Sequence, residues 1–121
     1  MNLWTGIITP KLKESVDFYV RLFDCAIIYS SDWFVLLQLG KSELGLMLPH
    51  LETQAQAFQA AFEGSGLWLA IDVEDVEAEY TRLVGLAIPI EVELRDEPWG
   101  DRHFVLRDPN GIAIDVVQHL S

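Results

Sequence analysis

Two hydrophobic periodicities take turns along this chain. Strand-type runs, β-rich or alternating with a period of two, occupy Trp4–Thr9, Cys25–Ser30, Asp32–Leu39 and Glu43–Leu48, and Pro49 closes the last of them. They return in Leu67–Val73, in Ile88–Leu94 and in two arms, Arg102–Arg107 and Ile112–Val117. Helical spacing lies between them. Pro10 opens a helix over Lys11–Phe23 whose apolar stripe is Leu12, Val16, Tyr19 and Phe23, with charges on the opposite side. A second helix, Asp75–Val84, turns Val76, Tyr80 and Leu83 inward, and Gly85 follows as its stop signal. The pattern therefore predicts β-α-β-β-β twice.

The two arms near the end of the chain are joined by Asp108-Pro109-Asn110-Gly111. Asp108 can accept from backbone two residues on, Pro109 presets φ, and Gly111 takes positive φ at no steric cost, so this is a hairpin turn. Asp115 then stands alone among apolar residues. A carboxylate there must be paired, hydrated or used, with Arg102, Arg107 or a cationic ligand as its expected partner. Between the two halves, Glu52–Phe62 is rich in Ala and Gln and predicts a linker helix broken by Gly64-Ser65-Gly66.

The halves can be aligned. Trp4 falls on Trp68, Leu12 on Val76 and Val16 on Tyr80, while Phe34 and Leu36 are set against Phe104 and Leu106. Two copies of one supersecondary unit predict an α+β fold, with two paired βαβββ modules forming curved mixed sheets around a cleft. The chain is read as a single domain, 1–121, with module one at 1–50, the linker helix at 51–64 and module two at 65–121.

Charge narrows the partners. Eight basic residues against nineteen acidic give a net charge of −11, and no Lys/Arg run interrupts it. Nucleic acid is excluded as a partner, because phosphate neutralisation needs clustered cations. A neutral or cationic small molecule fits such a surface better. Cys25 is the only cysteine, which leaves no internal disulfide or cysteine-based zinc site. No apolar run is long enough to span a bilayer, and a cytoplasmic protein with no membrane partner is expected. No P-loop or dinucleotide fingerprint is present, and Gly64-Ser65-Gly66 is too short to cradle phosphate.

Leu12-Lys13-Glu14-Ser15-Val16-Asp17-Phe18-Tyr19, Val73-Glu74-Asp75-Val76, and the turns Pro98-Trp99-Gly100 and Asp108-Pro109-Asn110-Gly111 together resemble the vicinal oxygen chelate superfamily. It includes the glyoxalase I, bleomycin-resistance and extradiol dioxygenase proteins. The resemblance implies the glyoxalase-like fold and, commonly, a homodimer. It also implies a metal site with one ligand from each of four strands, usually His on the first strand of each module and Glu on the last. Here the first-strand positions fall on Trp4 and Trp68, whose indole nitrogens only donate. The last-strand positions fall on Asp115 and on either Glu43 or Gly45. Carboxylates without imidazole make a poor transition-metal site, so no metal and no cofactor are expected.

The candidate ligand-binding residues are Trp4, Trp68, Asp115, Glu43, Arg102, His103 and Trp99, with no catalytic residue among them. By alternation Trp4, Gly6 and Ile8 share one face, and Trp68, Ala70 and Asp72 share another. Two indoles flanking a carboxylate suit a flat or cationic ligand through stacking, cation–π attraction and charge pairing. His103 is either a base or anchor in the cleft or an outer-face residue, since parity alone does not choose. Trp33 reads as rim or dimer contact, Trp99 as a pocket rim, and His50 and His119 as solvated. The leading reading is a metal-free small-molecule binding protein of the bleomycin-resistance type. The alternatives are a metal-dependent lyase or dioxygenase-like enzyme using Asp115, Glu43 and His103, and an interaction module whose cleft is filled.

Overall fold

The computed structural model describes residues 1–120. They form two compact units, Met1–Gly64 and a second from Ser65 onward. In the first, β1 (Thr5–Ile8), α1 (Leu12–Phe23), β2 (Ala26–Ser30), β3 (Phe34–Leu39) and β4 (Ser42–Met47) build a four-stranded sheet in the order β1-β4-β3-β2. β1 runs parallel to β4, and the other pairs are antiparallel. In the second, β5 (Trp68–Asp72), α2 (Val76–Gly85), β6 (Val92–Asp96), β7 (Asp101–Arg107) and β8 (Ala113–His119) repeat the plan as β5-β8-β7-β6. The fold is α+β, two βαβββ units with one mixed sheet each.

Each helix covers one face of its own sheet. α1 buries Ser15, Tyr19, Leu22 and Phe23 against Ile7, Val35, Leu37 and Leu46. That stripe is turned slightly from the one the sequence predicts: Leu12 and Val16 are only half-buried, and the small Ser15 lets helix and sheet approach. Asp24, at φ 56°, ends the helix in the left-handed region, and the Cys25 N–H returns to the Tyr19 carbonyl. α2 buries Val76 and Leu83 beside Phe104, Leu106, Ile114 and Val116. Its first turn is capped twice: Asp75 accepts from the Ala78 N–H at 3.1 Å, and the Gln118 side-chain oxygen accepts from the Val76 N–H at 3.1 Å. Gly85 is the last helical residue, not the one beyond it. The left-handed position falls on Ala87, at φ 58°.

Three sequence expectations change. The linker helix over Glu52–Phe62 is absent, and only Gln56–Phe58 turns once as a 3-10 helix. The Gln59 side-chain amide donates 2.6 Å bonds to the Leu51 and Gln54 carbonyls, which holds the segment as a loop. The strand read at Ile88–Leu94 begins at Val92, because Pro89 has no N–H for a ladder and Ala87 has already turned the chain. The alignment of the third strands slips by one residue. Gly45 pairs with Gly6 and Leu36 in one sheet, as Asp115 pairs with Ala70 and Val105 in the other. Phe34 therefore matches His103, while the buried Val35 and Leu37 match Phe104 and Leu106. A one-residue shift moves every side chain to the other face, and the apolar pattern of both strands concealed it.

The hairpin turn forms as read. Asp108 is 5% exposed, and its Oδ1 accepts from the Asn110 N–H at 2.8 Å and the Ile112 N–H at 2.9 Å. Gly111 supplies the positive φ, 82°, and donates its N–H to the Asp108 carbonyl at 3.0 Å. Among the described residues no helix is long and apolar enough to cross a membrane.

Candidate functional site

The sheet faces turned away from the two helices carry different chemistry. In the first unit this face is a pocket of about 530 Å³, within the range of small-molecule sites. Its floor is made possible by two glycines, Gly6 on β1 and Gly45 on β4, which sit opposite each other in register. Over that floor lies the Trp4 ring: a Cβ at Gly45 would meet Trp4 Cζ3 at 2.8 Å and the Phe34 ring at 3.2 Å. Ile8, Met47 and Phe34 extend the same face, while Trp33, Gln54 and Phe58 come from the flanking loops. Trp4 and Trp33 remain 51% and 38% exposed. Among the described residues no charged side chain lines the pocket.

Trp4 lines this pocket and stands just ahead of β1 rather than within it. Trp33, read from sequence as rim or dimer contact, lines the pocket. Phe58 and Gln54 do as well, and a linker helix would have kept both out of consideration. Glu43 shares the strand face but is not among the lining residues. The register resolves its ambiguity with Gly45, which is the counterpart of Asp115.

In the second unit the corresponding face holds a charged cluster. His103 is nearly buried, at 12% side-chain exposure, and its Nδ1 lies 2.6 Å from Asp115 Oδ1 while its Nε2 lies 2.8 Å from Glu97 Oε2. Arg95 Nε holds the same Glu97 oxygen at 3.0 Å. Burial pulls the His103 pKa down, but hydrogen bonds to Asp115 and Glu97 and their charges outweigh it, so the net shift is upward. The His103 bond, reinforced by Arg95, draws the Glu97 pKa down against the opposing effect of desolvation. Further along the face, His119 bonds Asp101 at 2.6 Å and Asp72 at 3.1 Å, and Trp99 Nε1 donates to Asp101 at 3.1 Å. The Asp101 hydrogen bond raises the His119 pKa.

Asp115 is therefore satisfied by His103. The arginines expected beside it are engaged elsewhere, Arg107 with Glu91 and Arg102 with Asp96 and Glu77 of α2. Alternation puts Arg102 on the helix side of the sheet, opposite His103, which separates it from the other candidates. Trp68 and Trp99 lie 64% and 69% exposed. Glu97 is the residue sequence reasoning overlooked. Its position just outside a strand gave no periodic signal, and only the neighbouring Pro98-Trp99-Gly100 turn marked the region.

A model of the Glyoxalase/Bleomycin resistance protein/Dioxygenase superfamily matches residues 3–116. The chain belongs to this superfamily. Solved structures agree on the fold. A chain described as a conserved domain protein is 27% identical, with a TM-score of 0.80 over 98% of this chain and 99% of that one. A lactoylglutathione lyase from Agrobacterium tumefaciens is 22% identical, with a TM-score of 0.79 over 97% and 92%. TioX from Micromonospora sp. ML1 is 19% identical, with a TM-score of 0.75 over 99% and 100%. No curated protein matches the chain.

The superfamily's metal does not fit these residues. The four expected ligand positions hold Trp4, Gly45, Trp68 and Asp115. Indole nitrogen has no lone pair to give and glycine has no side chain. Asp115 already accepts from His103, whose two ring nitrogens are both turned to carboxylates. Among the described residues no group of three or more His, Cys, Asp or Glu is arranged to hold a metal ion.

The raised His103 pKa fixes a sign. Its folded value lies above the unfolded one, about 6.5, so its contribution to stability is complete below that pH. It is lost as pH rises through the folded value. Thermal melts at high salt, which screens the exposed His119 pairs, are expected to fall by a few degrees between about pH 6 and pH 9. In His103→Gln this slope is expected to flatten; an unchanged slope would place the titration elsewhere.

Proposed function

We propose that this chain is a binding protein that holds a flat, largely apolar small molecule in the aromatic pocket of its first unit, without a metal. The observation that carries the proposal is the cavity lined by Trp4, Trp33, Phe34 and Phe58 over the glycines of β1 and β4. Two facing glycines in a strand pair are costly to sheet stability, and here Gly45 lets the Trp4 and Phe34 rings lie close on β4, where they line the pocket. Trp4, Trp33 and Phe34 favour a planar partner through stacking. Gln54, the one amide side chain at the pocket, suits a ligand with a single hydrogen-bonding group. Because the lining is uncharged, shape rather than charge selects the ligand, and the net charge of −11 favours a neutral or cationic molecule over an anion.

Tryptophan fluorescence titrations with quinoline, acridine and N-methylquinolinium test this. Saturable quenching by the planar probes is expected, with benzoate failing to bind. Quenching that is linear in every probe would mean collision rather than a site.

Self-association belongs to the same proposal. The edge strand β2 leaves Ile27, Ile28 and Tyr29 51%, 46% and 53% exposed, whereas its counterpart β6 carries Glu93, Arg95 and Asp96. An apolar edge without charges invites pairing with a second copy. Light scattering is expected to give a dimer at micromolar concentration, and a monomer there would refute it.

A further inference from the structure

Gln59 does not line the aromatic pocket, yet it braces the segment that brings two residues to it. That segment, 48–62, follows β4. At one end the Leu48 N–H donates to the Trp33 carbonyl at 2.9 Å, and at the other the Phe62 N–H donates to the Ile8 carbonyl at 2.8 Å. Trp33 and Ile8 both line the pocket, as do Gln54 and Phe58 from within the segment. The segment is therefore a strap tied to the pocket at both ends.

Between those ties one side chain spans the strap. Gln59 Nε2 donates to the Leu51 carbonyl at 2.6 Å and to the Gln54 carbonyl at 2.6 Å. The Gln59 carbonyl in turn accepts from the His50 N–H at 2.9 Å. Carbonyl oxygens only accept, so the brace needs a group with two N–H bonds, which an amide has and a carboxylate lacks. The Gln54 N–H meanwhile donates to the Leu51 carbonyl at 3.0 Å. Both main-chain polar groups of Gln54 are thus engaged inside the strap, and its side-chain amide is the polar group it brings to the pocket.

We propose that Gln59 is a positioning residue for ligand specificity: by fixing the Gln54 backbone it aims the Gln54 amide at a ring heteroatom. The site then prefers planar nitrogen heteroaromatics over hydrocarbons of the same outline, a preference that presupposes the small-molecule pocket proposed above. A ring nitrogen accepts from the amide N–H. A hydrocarbon in its place takes water from the amide and returns no bond. Stacking on the aromatic lining is common to both ligands and sets their shared affinity. The difference between them depends on where the amide stands, because an amide already held in place loses less freedom on binding.

Equilibrium dialysis with quinoline and naphthalene, which differ by one ring nitrogen, reads the preference as a ratio of affinities. The wild type is expected to favour quinoline roughly fivefold, the worth of one neutral hydrogen bond. Gln54→Leu is expected to bring the ratio near one while naphthalene still binds. Gln59→Glu, which turns a carboxylate on the two carbonyls, is expected to remove most of the preference as well. Gln59→Lys donates again and is expected to restore it. Should Gln59→Glu give no cooperative melt, Gln59→Met takes its place, since it removes the donors without adding charge. A merely structural loss would lower both affinities together and leave the ratio intact, and that result would overturn the role of Gln59 while the pocket stands. Equal affinities in the wild type would overturn the preference itself. If neither probe saturates the wild type, the pocket falls and the role of Gln59 with it.

Discussion

Gly45→Leu is expected to abolish binding of planar ligands, with affinity falling at least a hundredfold, about 3 kcal/mol, while the fold is retained. Gly45 lies in β4 at ordinary strand φ, so a larger residue is compatible with the backbone. Its Cβ would nevertheless stand 2.8 Å from Trp4 Cζ3 and 3.2 Å from Phe34. Trp4 is half exposed and can swing away, but the leucine then displaces the Trp4 and Phe34 rings from their packing on β4 and fills the pocket they line. Stability is expected to hold or rise slightly, since glycine is a poor strand residue. This combination of lost affinity and preserved melting separates a binding pocket from a merely loose face. Trp4→Ala should act more mildly, by roughly tenfold, because it removes a stacking surface without filling the cavity. Isothermal titration of acridine into both variants checks the ranking. A leucine variant that binds as well as wild type would move the site elsewhere.

Asp108→Ala is expected to cost about 3 kcal/mol of folding stability in denaturant melts. The carboxylate is buried, and its loss orphans the Asn110 and Ile112 N–H groups at once; each unmade bond to a charged acceptor costs about 1.5–3 kcal/mol. The damage reaches β8 because Ile112 is itself 1% exposed and leads directly into the strand carrying Asp115. Asp108→Asn should cost less, about 1 kcal/mol, since an amide oxygen still accepts. Loss of less than 1 kcal/mol in the alanine variant would mean the turn is held by Pro109 and Gly111 rather than by the side chain.

The sequence made the strands and helices legible where periodicity was long and uninterrupted. Both βαβββ units, the Asp108 turn and the face shared by Trp4, Gly6 and Ile8 follow from spacing alone. What escaped had physical causes. Glu52–Phe62 looked helical by composition, but side-chain bonds from Gln59 to the Leu51 and Gln54 carbonyls hold it as a loop in which only Gln56–Phe58 turns once. Phe34 and Phe104 looked equivalent because both are aromatic at the head of an apolar run, yet pairing to Gly45 and Asp115 shows that they face opposite ways. That slip hid the correspondence of Phe34 with His103 and of Gly45 with Asp115. One unit therefore carries an open aromatic floor where the other carries an ion-paired cluster. Glu97 could not be read at all, since a contact across strands six residues apart leaves no periodic mark. Arg102 was misplaced because residues adjacent in sequence lie on opposite faces of a strand.

We propose that binding in the pocket lined by Trp4 needs no metal. It is tested most directly by titrating acridine into protein dialysed against chelator, with metal content measured on the same sample. The account predicts saturable binding at unchanged affinity in metal-depleted protein, lost in Gly45→Leu. Binding that disappears on chelation and returns with a stoichiometric divalent ion would contradict it.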